Sequence, residues 1–297
     1  MSKMERIAVA DGWNSFHLEE YDSSLKALGR PPLERDARFP LEDPGVDAVV
    51  VAARPEDTYA AARAALEAGK HVFCDKCLAM TASQVEELWT LAENRGLQLA
   101  FEFPFTRRPA CTLAKECLDR GLLGEVRSLF VNNAHGALLA GALPPQFLQS
   151  PGGVLYDIGA HPLYLALWLM GEPERVSAAC LREKEGCVHT YHSLLEYPGA
   201  SACCSGSYRW AEGMFSIALM GEKGSYCAQV QRGSIRYLAL PKGLRAEDLP
   251  ASALPAPGDT DLGKWLTAIR EGTPPDSRQK ELGMQLSGLL ARLLPEH

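Results

Sequence analysis

Asp157 and His161 stand four residues apart, the spacing that brings two side chains onto one face of a helix. An imidazole is the natural base for chemistry near neutral pH, and a carboxylate so placed can orient it and raise its basicity. Lys76 follows the short apolar run His71–Cys74, and an ammonium at a strand end can donate to a substrate oxygen and stabilise charge as a proton departs. The three side-chain types suit oxidation of an alcohol, in which the hydroxyl proton must be taken as hydride leaves the carbon. Each also has an ordinary reading. Asp157 and His161 could cap a helix that Pro162 begins or kinks, and a single lysine is most often a surface residue. Cys74-Asp-Lys-Cys77 has the C-x-x-C spacing of redox and zinc sites. It ends a β-like run instead of opening a helix, and no second pair answers it, so no metal is expected.

Elements that would position these groups alternate through the first hundred residues. Arg6–Ala10, Val46–Ala53, His71–Cys74 and Leu97–Phe103 read as strands, the second nearly continuous in apolar and β-branched residues. Helical patterns fill the gaps: about Phe16–Leu28, Thr58–Ala68 ended by Gly69, and a helix that Ser83-Gln-Val-Glu86 opens as a capping box. That alternation predicts a parallel sheet covered on both faces. After about Arg108 the pattern changes. A helix near Pro109–Arg120, an apolar helix near Pro162–Met170 and a series of strands from Val176 to Leu240, spaced by turns, predict an antiparallel sheet. Two helices end the chain. The expected fold class is α/β followed by α+β, with domains at 1–106 and 107–297 and the C-terminal helix packing back toward the first.

The chain has 297 residues, 46% hydrophobic and 23% charged, with a formal net charge of −7. This is ordinary globular usage, enough for a real core. The acidic balance disfavours nucleic acid, no apolar stretch approaches the ~20 residues of a membrane span, and no signal-peptide pattern is present. Nine cysteines, scattered and odd in number, fit free thiols in a reducing cytoplasm.

Three ordered segments carry a family resemblance: Val46-Asp-Ala-Val…Ala65-Leu-Glu-Ala-Gly-Lys-His-Val-Phe-Cys-Asp-Lys76, then Gly121-Leu-Leu-Gly-Glu-Val126, then Gly152-Gly-Val-Leu-Tyr-Asp157-Ile-Gly159-Ala-His161 with Leu167-Trp-Leu-Met-Gly171. Together they resemble the glucose–fructose oxidoreductase/inositol dehydrogenase (Gfo/Idh/MocA) family. The resemblance implies a Rossmann domain binding NAD or NADP and a second domain with an open antiparallel sheet, through which a homo-oligomer, dimer or tetramer, would form. Its usual chemistry is hydride transfer at a hydroxyl carbon of a sugar, cyclitol or similar polyhydroxylated molecule. By motif position it implies Lys76, Asp157 and His161 as the catalytic set. Cofactor contacts are expected from Ala10, Gly12, Trp13, Asn14, Ser15, Ala53, Arg54, Pro55, Tyr59, Asp75 and Lys76. Substrate contacts are expected from Arg107, Arg108, Asn133, Tyr156 and Tyr191, with His135 and His192 as lesser candidates.

Several positions depart from the family pattern. The glycine loop G-x-G-x-x-G is reduced to Ala10-Asp-Gly12-Trp-Asn-Ser15. Two alignments follow: either Arg6–Asp11 is the first strand and the region Gly29–Leu41 is shortened, or Arg6–Asp11 is the second strand and the loop is missing. Topology favours the first, since losing a central strand would orphan hydrogen bonds on both neighbours. Glu34 or Asp36 would then stand in for the ribose-binding acid. Cys77 replaces the proline of the family's Glu-Lys-Pro, which favours a trans bond there. Glu56 and Tyr59 stand where Asn and His are common, and Tyr164 replaces an acid. These changes leave two alternatives open beside the dehydrogenase: a non-redox acid/base enzyme such as an isomerase or lyase, and a regulatory sugar-binding paralogue without normal cofactor binding.

Overall fold

The computed structural model describes residues 6–11, 15–35, 41–76, 79–143, 145–150, 152–183, 186–232, 234–244 and 256–294; for 11, 15, 16, 145 and 146 only the backbone is described. The chain forms two compact units, Met1–Pro104 with Ala256–Gly288, and Phe105–Pro255 with Leu289–His297.

In the first unit, β1 (Ile7–Asp11), β2 (Ala48–Val51), β3 (His71–Cys74) and β4 (Leu99–Phe101) form a parallel sheet in that order. Every residue of β2 is buried, as its unbroken apolar run requires. Helix α1 (Ser15–Ala27) and α7 (Asp261–Glu271) cover one face: Leu18, Tyr21, Leu25, Trp265 and Leu266 form a single core with Ile7, Val50 and Phe73. Helices α2 (Pro55–Glu67) and α3 (Ala82–Arg95) bury Ala62, Leu66, Val85, Leu88 and Trp89, the last edge-on to Phe101 with centroids 5.3 Å apart. The cap of α3 falls two residues earlier than the sequence pattern places it. Thr81 is the extended N-cap residue and Gln84 its reciprocal partner, a Thr-x-x-Gln box in place of the expected Ser-x-x-Glu. Gly69, past the end of α2, takes φ +77°, a conformation that costs a side-chain-bearing residue about 1 kcal/mol or more.

The two alignments of the N-terminus are separated by pairing. β1 lies directly beside β2, with Ile7 opposite Ala48, and on its other side Ala8 forms a parallel bridge with Glu34. Glu34 N–H donates to Ile7 O and Val9 N–H to Glu34 O, both at 2.9 Å. The first strand is therefore retained between two neighbours. Among the described residues the second strand is reduced to this one bridge.

The second unit holds a seven-stranded sheet. Its strands are β5 (Val126–Ala134), β6 (Arg175–Arg182), β7 (Val188–Tyr197), β8 (Ala200–Ser207), β9 (Met214–Gly221), β10 (Ser225–Gln231) and β11 (Ser234–Ala239). Their order is β11-β10-β9-β5-β8-β7-β6. All neighbours are antiparallel except β5 and β8, which correct the expected antiparallel sheet to a mixed one. The reason is geometric: β5 enters between β8 and β9, which run in opposite directions, so it must be parallel to one of them. Helices α4 (Pro109–Asp119) and α6 (Ala160–Met170) bury apolar residues in this unit, and a short helix α5 (Pro145–Gln149) precedes the α6 region. Nearly every residue of α6 is buried, as expected of a helix apolar on all sides. Phe130, Leu194 and Met220 remain exposed along the sheet. Helix α8 (Ser277–Leu293) ends the fold. No helix among the described residues is long and apolar enough to cross a membrane.

Candidate active site

Lys76 follows β3 with its side chain only 2% exposed. Asp75 N–H still donates to Val51 O at 2.9 Å, so the ladder holds the backbone up to the residue before Lys76. The Asp75 carboxylate accepts the Lys76 backbone N–H at 2.8 Å and lies 3.7 Å from its Nζ. Helix α1 brings a second partner. His17 Nδ1 is 2.7 Å from Asp75 Oδ2 and its Nε2 is 3.4 Å from Lys76 Nζ. One helical turn later, Tyr21 donates to Glu102 Oε2 at 2.9 Å. Burial alone would raise the Asp75 carboxyl, but the charges on His17 and Lys76 hold it well below the usual range. Burial likewise opposes charge on His17, and Asp75 outweighs it, so His17 is raised. His17, Asp75 and Glu102 offer ligand atoms all within 4.8 Å of one another, and the Lys76 ammonium already lies against the first two.

Glu102 is pushed up to about 7, chiefly by burial, with the Asp75 charge adding to it and His17 and Lys76 opposing. A carboxyl raised on folding keeps its proton in the native state while the unfolded chain has released it. Stability therefore falls as pH climbs from Glu102's ordinary value to about 7, and the deficit persists above. Glu102→Gln keeps an acceptor for Tyr21. It is expected to match wild type below pH 4 and to exceed it above pH 7 by on the order of 1 kcal/mol, a Tm gain of about 3 °C. Thermal denaturation across that range is the check, and equal Tm at pH 8 would contradict it.

In the second unit a short 3-10 turn, Gly153–Tyr156, leads through Asp157 into α6. Asp157 lies ahead of the helix and not on it, so the one-face expectation for Asp157 and His161 is corrected: only His161 is helical. Tyr208 donates to Asp157 Oδ2 at 2.8 Å, and His135 stacks on the Tyr208 ring at 5.2 Å. Burial lowers His135, with Asp157 opposing. His161 occupies the first turn of α6, 6% exposed, its ring 4.5 Å from that of Phe105. Its Nδ1 is 3.0 Å from Tyr164 Oη, which also accepts Phe105 N–H at 3.0 Å. Pro162 sits in that same first turn, where a missing N–H costs nothing. Two side chains fasten the turn before α6. Asn133 Nδ2 donates to Ile158 O at 3.0 Å, and Tyr191 donates to Gly159 O at 2.7 Å.

These contacts reassign some expected substrate residues. Tyr191 is fully buried with its hydroxyl on the backbone, and Asn133 spends its amide the same way, so both brace the turn that carries Asp157. Arg108 lays its guanidinium 3.7 Å over the Phe105 ring, while Arg107 ends a short 3-10 turn and is half-buried. Tyr156 is half-buried against Gly152, where a Cβ would collide with its ring. His192 is exposed on β7 beside Ser205, at 2.9 Å.

For the expected cofactor residues, Ala10 lies in β1, Ser15 opens α1, and Gly12, Trp13 and Asn14 fall outside the described residues. Ala53 is buried just beyond β2, and α2 opens at Pro55 after Arg54, whose side chain makes no cap hydrogen bond. The succession of β1 and α1 and a small residue after β2 are parts that fit a dinucleotide. Two others do not. Tyr59 is tied to Glu87 at 2.7 Å and Arg63 at 3.2 Å, one turn into α2. Glu34 is forked by Arg6, both contacts 2.7 Å, level with the start of β1 and not with its carboxyl end. Asp36 and Cys77 lie outside the described residues. Sequence reasoning missed His17, Tyr21, Glu102 and Tyr208. The only signal was the i, i+4 pair His17 and Tyr21 on one face of α1.

Residues 5–103 match the family model for an oxidoreductase family with an NAD-binding Rossmann fold, and residues 112–227 match the Gfo/Idh/MocA C-terminal domain. An Escherichia coli protein, uncharacterized oxidoreductase YhhX, is 30% identical over 256 residues, covering 80% of this chain and 71% of its own. The chain belongs to the Gfo/Idh/MocA family. A second relative within it, the dTDP-3,4-didehydro-2,6-dideoxy-alpha-D-glucose 3-reductase of Streptomyces violaceoruber, is 37% identical over 125 residues, 40% of this chain; the match spans only 34% of that protein. Among solved structures, GenD2 from gentamicin A biosynthesis, in complex with NAD, is similar with a TM-score of 0.77 at 20% identity, covering 98% of this chain and 94% of its own. At that identity the likeness speaks to the fold alone.

Proposed function

We propose that the protein is an NAD(P)-dependent oxidoreductase acting at a hydroxyl or carbonyl carbon of a sugar, cyclitol or related polyhydroxylated molecule. The observation that carries this is Lys76: a buried ammonium at the carboxyl end of a parallel strand, held by Asp75 and His17 in a family of oxidoreductases. Carboxyl ends of such strands are where ligands of open α/β sheets collect. The nicotinamide, when bound, exchanges a hydride with the substrate carbon. This chain's part is to hold the reacting oxygen and manage its proton, for which Lys76, Asp157 and His161 are the catalytic set. The sugar-nucleotide reductase among the relatives supports a carbohydrate-like substrate. The eight described cysteines are all free, which supports a reducing, cytoplasmic setting. Exposed Phe130, Leu194 and Met220 support self-association through the sheet. Light scattering that returned only the 32.3 kDa monomer would exclude that association.

One observation favours a weaker adenosine grip: Glu34, the stand-in for the ribose acid, is taken by Arg6. Titration of the full chain with NADH and NADPH decides the matter. At a hundred times its dissociation constant a bound cofactor adds ~2.7 kcal/mol of stability, so Tm is expected to rise by several degrees with at least one of the two. No shift with either would remove the redox reading and leave the non-redox acid/base enzyme and the sugar-binding paralogue.

A further inference from the structure

His17 stands between the two charged residues that follow β3. Its Nδ1 is 2.7 Å from Asp75 Oδ2 and its Nε2 is 3.4 Å from Lys76 Nζ, so each ring nitrogen faces one of them within hydrogen-bond reach. Burial opposes charge on Asp75, but His17, Lys76 and the Lys76 backbone N–H together hold it well below the usual carboxylate range. An ionised carboxylate only accepts, so the hydrogen on the short contact belongs to Nδ1. A neutral imidazole with that hydrogen carries its lone pair on Nε2, the atom facing the ammonium. We propose that His17 is a positioning residue acting through Lys76: Asp75, His17 and Lys76 form a relay in which the imidazole takes up the proton that the ammonium gives away.

The relay rests on the oxidoreductase reading for its consequence, though not for its geometry. With its side chain 2% exposed, Lys76 has little contact with bulk water, so a proton it trades with the reacting oxygen passes to or from a neighbour. In oxidation one Nζ–H bond breaks and an Nε2–H bond forms, which leaves an amine. Its lone pair takes the hydroxyl proton as hydride leaves the carbon for the nicotinamide, and the O–H electron pair becomes the second bond of the carbonyl. Lys76 ends as an ammonium and His17 as an imidazolium, one proton having passed from substrate to His17. Reduction runs the same bonds backward. The division of labour is that of a Ser-His-Asp triad with an amine in place of the hydroxyl: the carboxylate orients the imidazole and stabilises the cation that forms. Among the described residues, two more titratable groups face His17. Glu102, beyond β4, has an oxygen within 4.8 Å of it, and Tyr21, one turn along α1, has its ring 6.4 Å away.

His17→Asn separates relay from scaffold, because its amide keeps an N–H for Asp75 where Nδ1 was and has nothing at the place of Nε2. The first readout is the long-range proton–nitrogen correlation spectrum of the full chain labelled with 15N-histidine, His17 being assigned by its loss in that variant. Wild type is expected to show a protonated-type Nδ1 at neutral pH. In Lys76→Met the imidazole is expected to titrate at higher pH, its like-charged neighbour gone. A bare-type Nδ1, or a titration unchanged in Lys76→Met, overturns the proposal; the wild-type pattern decides even where Lys76→Met fails to fold. The second readout is the pH profile of kcat/KM for oxidation of a panel of inositols and hexoses with NAD and NADP. Wild type is expected to lose rate as pH falls through the titration of His17, since an imidazolium cannot take up a second proton. In His17→Asn the rate is expected to drop about 10²-fold and that acid limb to disappear. A limb that survives at the same pH in His17→Asn overturns the relay. The spectrum needs neither cofactor nor substrate, so a silent cofactor titration would leave the coupled pair standing, and an uncoupled pair would leave cofactor binding standing.

Discussion

Lys76→Met is expected to lower turnover by about 10²–10⁴-fold, the usual worth of a group that manages the proton of a reacting oxygen. The measurement is the change in NADH absorbance with a panel of inositols, hexoses, keto-sugars and sugar nucleotides, wild type against variant. The same substitution is expected to cost stability, on the order of 2 kcal/mol, because it removes a buried positive charge that answers Asp75. His17 remains beside the carboxylate at 2.7 Å, which keeps the loss below that of a fully orphaned acid. Lys76→Arg separates the two effects. It restores the charge, and with it most of the stability, while its planar guanidinium cannot reproduce the point donor of an ammonium. Turnover in Lys76→Met within tenfold of wild type would remove Lys76 from the reaction.

Gly159→Ala is expected to damage the fold of the second unit severely. A Cβ there would lie 2.5 Å from Val154 O and 2.5 Å from Cε1 of Tyr191. Neither neighbour can yield. The carbonyl is backbone, and the Tyr191 ring is itself pressed where a Cβ on Gly206 would sit 2.7 Å away, with its hydroxyl bound to Gly159 O. Overpacking of this kind costs about 3 kcal/mol, a Tm loss of about 8 °C in a domain of this size. Tyr191→Phe is milder, about 1 kcal/mol, since it only leaves a buried carbonyl without its donor. Urea denaturation of the three proteins gives the order wild type, Tyr191→Phe, Gly159→Ala; a Gly159→Ala protein as stable as wild type would mean the turn is not held this way.

Most elements were legible in the sequence because burial leaves a periodic trace. The unbroken run Val46–Ala53 contains the shorter strand β2, and the turn-spaced strands after Val176 correspond closely to observed strands. Pattern says which face a strand buries but not which strand lies beside it, so the parallel pairing of β5 with β8 was invisible. The site was half legible. Lys76 stood out by motif, whereas His17, Tyr21 and Glu102 are single polar residues on three separate elements, and only the packing of α1 over the strand ends joins them. The spacing of Asp157 and His161 misled because i, i+4 means a shared face only inside a helix, and the helix starts at Ala160. Tyr191 reads as a substrate contact from sequence alone because a phenol is equally suited to a ligand and to a buried carbonyl.

The position of β5 between β8 and β9 also bears on how the chain acquires its structure. β8 and β9 are separated by only six residues yet cannot join as a hairpin. The strand that must lodge between them was synthesised some seventy residues earlier. Loop closure over that distance has to precede the reward of pairing, so the second unit should assemble slowly, in the millisecond-to-second range of non-local β topologies. Until β5 is lodged, two open strand edges await a partner, and a second chain at high concentration could occupy them first.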